Sequence, residues 1–437
     1  MTDGESAGLH AVLTRLHDAV ERRLNRRYIR SVCCLLLGFF LLVQTFSFVT
    51  SERGRTAFGP FLGADFAVFY VAGSIFDGYA PARIYDVNLH SRLYRGLFPG
   101  VPPEAQLPYA NAPFFVLPFA ALAHLPYQWA YLLWMLISIG LYFGGLRLLW
   151  GSYPSIPRNA WLTVVLLAFS FTPFLIEGLS GGQVSVFGFF WLALALSLER
   201  RGHLLLSGAA LSVCAYKPTL LVLILPMLVV TRRWGLLRGF AIGGLGLAAL
   251  SLLAVGWQGC RTYVEVLLLF LDTTAGAAPG LRTWKYVDIN SFSRLLAGGH
   301  TYGRWALVLV AAGCTLPLLV RGWWKADCAR ENVRSAIWAM TIVWTLVLNV
   351  YLGIYDTVLV VPGALITADL LSHEEPDKRS MLTSAYTYLL AALYLVPWVT
   401  QPVARLTGVQ LYTLVLAVFG FYLISLLRRV METEATA

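Results

Sequence analysis

Apolar residues run along the chain in long blocks closed by arginines, glycines or prolines. Twelve blocks read as membrane helices, at about 31–49, 127–149, 160–178, 184–199, 203–217, 218–231, 235–256, 304–321, 335–352, 356–371, 381–399 and 408–427. A helix rises about 1.5 Å per residue, so roughly twenty apolar residues cross a hydrocarbon layer of about 30 Å. The run LLLSGAALSVCAYKPTLLVLILPMLVVT, which starts at Leu204, departs from that pattern because Lys217 and Pro218 stand at its middle. Arg200 and Arg201 precede it, and Arg232 and Arg233 follow it. Basic flanks favour the cytoplasm, so both ends belong there and the run is expected to rise and return as a hairpin. Each limb would reach only about 21 Å, leaving Lys217 in a recess below the outer surface. An ionised side chain at that depth is costly and marks a functional position.

The same rule orders the remaining blocks. The stretch APFFVLPFAALAHLP, from Ala112 to Pro126, is apolar but short and holds three prolines. Counted as a span, it would push the basic loops RRWGLLR and RGWWKADCAR outside, so it is expected to be a re-entrant or interfacial helix on the outer side. Both termini are then cytoplasmic. Residues 1–30 carry leucines and valines at helical spacing with arginines on other faces, as an interfacial helix does. Residues 31–427 form the integral membrane domain, with outer loops at about 50–126 and 257–303, and 428–437 form a cytoplasmic tail. The first apolar run follows about thirty polar residues without a signal-peptide layout, so it is expected to stay as an anchor in the inner (plasma) membrane.

Composition agrees with an all-α polytopic protein: 58% of residues are hydrophobic and 13% charged, which excludes an ordinary soluble domain. The net charge of +10 lies at the ends of apolar blocks, where it orients helices and meets membrane lipids; no nucleic-acid face is expected. Six cysteines and seven histidines lack ligand spacing, so neither metal nor cofactor is expected.

Parity places the unusual polar residues on one side: Asp65, Gln183, Lys217, Asn290 and Asp356. Asp65, in GADFAVFY, is placed to take a proton as a general base or to cap a helix, and Tyr70 follows on its aromatic stripe. The sequence LSGGQ at 179–183 resembles a nucleotide-embracing signature, but no lysine is followed by Ser or Thr, so no phosphate loop accompanies it. It reads as a tight outer turn whose Gln183 is free to bond a hydroxylated ligand. Tyr109 and Asn111 are either sugar contacts or turn residues, and Asp356, beside Tyr355, either binds a sugar hydroxyl, pairs with Lys217 or caps a helix. Glu177 is a weaker candidate of the same kind. Arg282 and Lys285 stand outside against the charge rule, as phosphate contacts or as solvated loop residues.

Taken in order, DFAVFYVAGSIFDGYAPARIYD, YANAPFFVLPFAAL, GGQVSVFGFFWLALAL, SGAALSVCAYKPTLLVLILP, DINSFSRLL and YDTVLVVPGALI resemble glycosyltransferase family 87, the polyprenol-phosphate-mannose-dependent mannosyltransferases of the C-type membrane fold. The resemblance implies inverting transfer of a hexose, mannose by family, from a polyprenyl-phosphate sugar donor to a lipid or glycan acceptor at the extracytoplasmic face. It also implies that Asp65 is the base and that Lys217, with Arg282 or Lys285, offsets charge on the leaving phosphate. GADF carries a single acidic residue, and the last motif has Asp356 where relatives often show other polar residues. The alternative is a transporter or flippase of a lipid-linked sugar, although the two halves lack the internal repeat such proteins show. A ligase moving whole glycans has the same sequence features.

Overall fold

The structure, a computed structural model, describes residues 25–436 apart from 53, 59–60, 100–108, 276–281, 299 and 374–375. Of the expected interfacial helix over residues 1–30, residues 1–24 lie outside the described residues, and 26–30 open the helix Arg26–Val49. Helices and short 3-10 turns make up the described chain, and β pairing among the described residues is limited to isolated bridges.

The expected blocks correspond to helices of unequal length. Among the described residues, six helices are long and apolar enough to cross a membrane: Arg26–Val49, Tyr127–Ser152, Trp234–Leu269, Thr301–Lys325, Ile354–Ser372 and Leu411–Glu434. Two bent pairs raise the number to eight. Arg158–Phe169 meets Pro173–Ser180 at 53°, and Leu382–Leu395 meets Pro397–Thr407 at 66°. In both pairs a proline opens the second piece, where its missing N–H costs nothing. Ser185–Arg200 and Glu331–Val347 have 16 and 17 residues.

The run around Lys217 is a broken hairpin. Leu204–Ser212 passes into a 3-10 turn, Val213–Tyr216, and after Lys217 a second turn, Pro218–Leu221, leads into Ile224–Val230. Glu199 and Arg233 form a buried ion pair that closes its base, and the Trp338 indole donates to Glu199 at 2.6 Å. Small residues let the next helix press against the first limb. A Cβ on Gly208 would stand 2.0 Å from the Leu236 carbonyl, and one on Gly239 2.1 Å from that of Leu205. Such close backbone approach is how membrane helices gain van der Waals contact without a hydrophobic drive.

Glu331–Val347 and Ile354–Ser372 form the middle of the bundle, with most of their side chains buried. Arg26–Val49 and Thr301–Lys325 lie at its periphery. The stretch after Ala112 is short, as expected: the turn Pro113–Val116 and the helix Leu117–Ala123 pack against Phe66–Gly78, with Gly73 against the Phe119 carbonyl. The bundle thus gathers four chain breaks at one end, at Asp65, Gln183, Lys217 and Asp356.

Candidate active site

Asp65 occupies the step from the first long loop into the helix Phe66–Gly78. Its side chain makes no capping hydrogen bond, so the helix-cap reading does not hold. The cap comes from the glycine turn instead: the amides of Asp65 and Phe66 donate to the Gly181 carbonyl at 3.1 and 3.2 Å. Gly182 has φ +75, and a Cβ there would meet the Phe66 Cβ at 2.5 Å, so only glycine brings the LSGGQ turn this close. The turn then directs Gln183, whose amide nitrogen donates to Asp65 Oδ2 at 2.9 Å.

Across from this pair, Lys217 pairs with Asp356, and its Nζ stands 4.9 Å from the centroid of the Tyr355 ring. Asp356 is fully buried; it accepts the Ser185 hydroxyl at 2.7 Å and the Gly353 amide at 3.2 Å. An unpaired carboxylate there would be expensive, and these three donors compensate it. The Asn111 side chain and the Ala112 amide, both at 3.3 Å, donate to the Tyr216 carbonyl, and Asn349 donates to that of Thr219 at 2.9 Å. The hairpin tip is therefore gripped from both sides. Asp65, Asn111, Gln183, Lys217, Tyr351 and Tyr355 line one cavity of about 120 Å³.

The stretch from Arg282 to Asn290 forms an edge of the site. Asp288 accepts from the amides of Ser291 and Leu352 and from the Ser291 hydroxyl, each at 2.9 Å. Burial pushes its carboxyl up to about 6 while these bonds pull it back. Lys285 Nζ stands 3.8 Å from Glu177, whose carboxylate also accepts the Gln401 amide at 2.7 Å, and Gln410 holds the Trp284 carbonyl at 2.7 Å. Desolvation raises Asp65 above its ordinary value; Lys285, Gln183 and Arg282 oppose that shift, and Glu177 adds to it. A carboxylate raised in this way is a better proton acceptor near neutrality than a solvated one.

Of the residues singled out from sequence, Asp65, Gln183, Lys217, Tyr355 and Asp356 come together, with Lys285 and Arg282 near enough to act on Asp65. Three stand elsewhere. The Tyr70 hydroxyl donates to the Leu125 carbonyl at 2.8 Å, and Tyr109 is buried against Phe69 and Tyr85. Asn290 donates to the Val350 carbonyl at 3.0 Å, tying the loop down. Ser185, Tyr351 and Gln401 gave no sequence signal beyond their residue type, because long-range packing alone brings them here. Tyr351 forms a pair with Tyr286, ring centroids 4.1 Å apart and hydroxyls hydrogen-bonded. Among the described residues, no three His, Cys, Asp or Glu side chains gather as a metal site.

Against known families, the model described as Glycosyltransferase family 87 matches residues 109–352, more than half of the chain. The matched stretch holds Gln183, Lys217 and Tyr351; Asp65, Tyr355 and Asp356 lie outside it. No curated protein and no solved structure matches the chain.

Proposed function

The chain belongs to glycosyltransferase family 87, and from that premise we propose that this membrane glycosyltransferase moves a hexose, mannose by family resemblance, from a polyprenyl-phosphate donor to a lipid or glycan acceptor at the outer membrane face. The observation that carries this reading is the cavity with the Asp65 carboxylate on one wall and the Lys217 ammonium on another. Asp65 accepts the proton of an acceptor hydroxyl as that oxygen attacks the anomeric carbon. The bond from that carbon to the phosphate oxygen breaks, and the electron pair leaves with polyprenyl phosphate. Attack opposite the leaving group inverts the centre. Lys217 still has N–H groups beyond the one that faces Asp356, and with Lys285 and Arg282 it meets the charge that grows on the phosphate.

Reduction of competing water follows from the walls. Tyr351, Tyr355, Val68 and Phe69 are apolar over most of their surface and narrow the cavity around the two charged groups. The polar atoms that remain, on Asn111, Gln183 and the tyrosines, suit sugar hydroxyls. The arginine distribution supports a reading with both termini cytoplasmic.

Purified protein in nanodiscs, given radiolabelled polyprenyl-phosphate mannose and a membrane lipid extract as acceptor, should release polyprenyl phosphate and a labelled glycolipid of inverted configuration. Transfer supported only by a nucleotide sugar would remove the proposed donor. Transbilayer movement of the labelled lipid without a glycosidic product would favour a flippase.

A further inference from the structure

At the end of the bundle far from Asp65, the helices Thr301–Lys325 and Leu411–Thr436 flank a cleft of about 500 Å³. The helix Glu331–Val347 fixes its position: it starts beside this end, where Asn332 bonds Glu434 at 2.9 Å, and it finishes near Asn349 and Tyr351 at the catalytic cavity. Arg321, Lys325 and Arg428 line the cleft. Arg321 and Lys325 are four residues apart on one helix, where like charges face and repel each other.

Neighbouring basic residues solve the same problem inside the protein. Arg330 pairs with Asp327 and Glu434, and Arg200 pairs with Glu331. Arg321, Lys325 and Arg428 form no ion pair among the described residues, although the Glu432 carboxylate stands at the rim. Apart from Glu432, the rest of the wall is apolar, with Leu318 and Leu427 along it. Trp324, 71% exposed between the two basic residues of its helix, suits the headgroup level where indoles anchor. Three converging cations above an apolar wall, on a helix that faces outward from the bundle, match a two-part ligand: a phosphate headgroup with an acyl chain.

We propose that this cleft is a binding site for an anionic phospholipid, its phosphate held by Arg321, Lys325 and Arg428 and its acyl chain laid against Leu318 and Leu427. The lipid neutralises the repulsion between the three cations and joins the last helix to Thr301–Lys325. The site is separate from the sugar-transfer cavity and does not depend on how that cavity works.

Native mass spectrometry of the detergent-purified full chain tests it, with phosphatidylglycerol, phosphatidylcholine and inorganic phosphate as probes. The triple variant Arg321→Gln, Lys325→Gln, Arg428→Gln should bind phosphatidylglycerol at least about tenfold more weakly than the wild type. A control with the exposed Arg201, Arg238 and Arg429 changed to Gln carries the same charge loss and should bind as the wild type does. Phosphatidylcholine should bind equally to all three proteins, and inorganic phosphate should not compete. Equal losses in both triple variants would overturn the site, and competition by millimolar phosphate would overturn the lipid as its ligand. Unchanged binding in the cleft variant would also overturn it.

Discussion

At the scale of single residues, two carboxylates of the same kind are given different roles by their surroundings. Asp356 has a cation and two neutral donors, whereas Asp65 has a single amide donor and a cavity in front of it. Because Asp65 must be ionised to accept a proton and its pKa is raised, the acid limb of the kcat/KM profile should lie above about pH 3.9, the ordinary aspartate value. Gln183→Leu removes a hydrogen bond to the charged form, which should move that limb to higher pH. Glu177→Gln removes a neighbouring negative charge, which should move it to lower pH. Opposite displacements in a pH–rate series are the expected result; no displacement in either variant would separate Asp65 from the limb. Lys217→Met leaves Asp356 buried without its cation and should cost about 3–5 kcal/mol in thermal or denaturant unfolding. Adding Asp356→Asn should restore most of that stability but not sugar transfer, so the double-mutant cycle separates the lysine's structural part from its catalytic part.

At the scale of elements, the hairpin was legible in the sequence because its cause is local: paired arginines at both ends and Lys217-Pro218 between them. The ion pair of Glu199 with Arg233 closes the loop that those flanks imply. The LSGGQ turn was legible for the same reason, since Gly182 has a conformation other residues rarely adopt. Tyr70, Tyr109 and Asn290 stand out in the sequence by residue type beside a motif, but their side chains turn to backbone carbonyls or the core instead of the cavity. That choice depends on packing between distant segments, which hydrophobic periodicity does not encode. Apolar blocks identify helices, but prolines and buried breaks decide which of them run on as long, unbroken apolar helices. Gly239 tests the packing that holds the hairpin. Gly239→Leu should force the Leu205 backbone away, lowering the yield of folded monomer in size-exclusion chromatography, while Gly244→Leu, whose added Cβ meets nothing, should leave the yield unchanged.

At the scale of the whole molecule, the helices have two chemically distinct ends. One gathers Asp65, Gln183, Lys217 and Asp356, and the other gathers Glu199, Arg200, Arg233 and Glu331 in ion pairs. Ser185 and Glu199 sit at opposite ends of one helix, about 21 Å apart at 1.5 Å per residue, so the cavity and the basic end lie at opposite ends of the bundle. Sidedness has a direct check in a background with the six cysteines replaced. If the proposed sidedness holds, Tyr302, 93% exposed at the start of its helix, should react as Tyr302→Cys with an impermeant maleimide added outside intact cells, while Glu331→Cys should react only after the membrane is opened. The proposed role of the Asp65 carboxylate is that of the base in sugar transfer. Transfer from radiolabelled polyprenyl-phosphate mannose in nanodiscs, compared between wild type and Asp65→Asn of equal thermal stability, tests it most directly. A loss of about a hundredfold or more is expected; transfer at the wild-type rate would rule Asp65 out as the base.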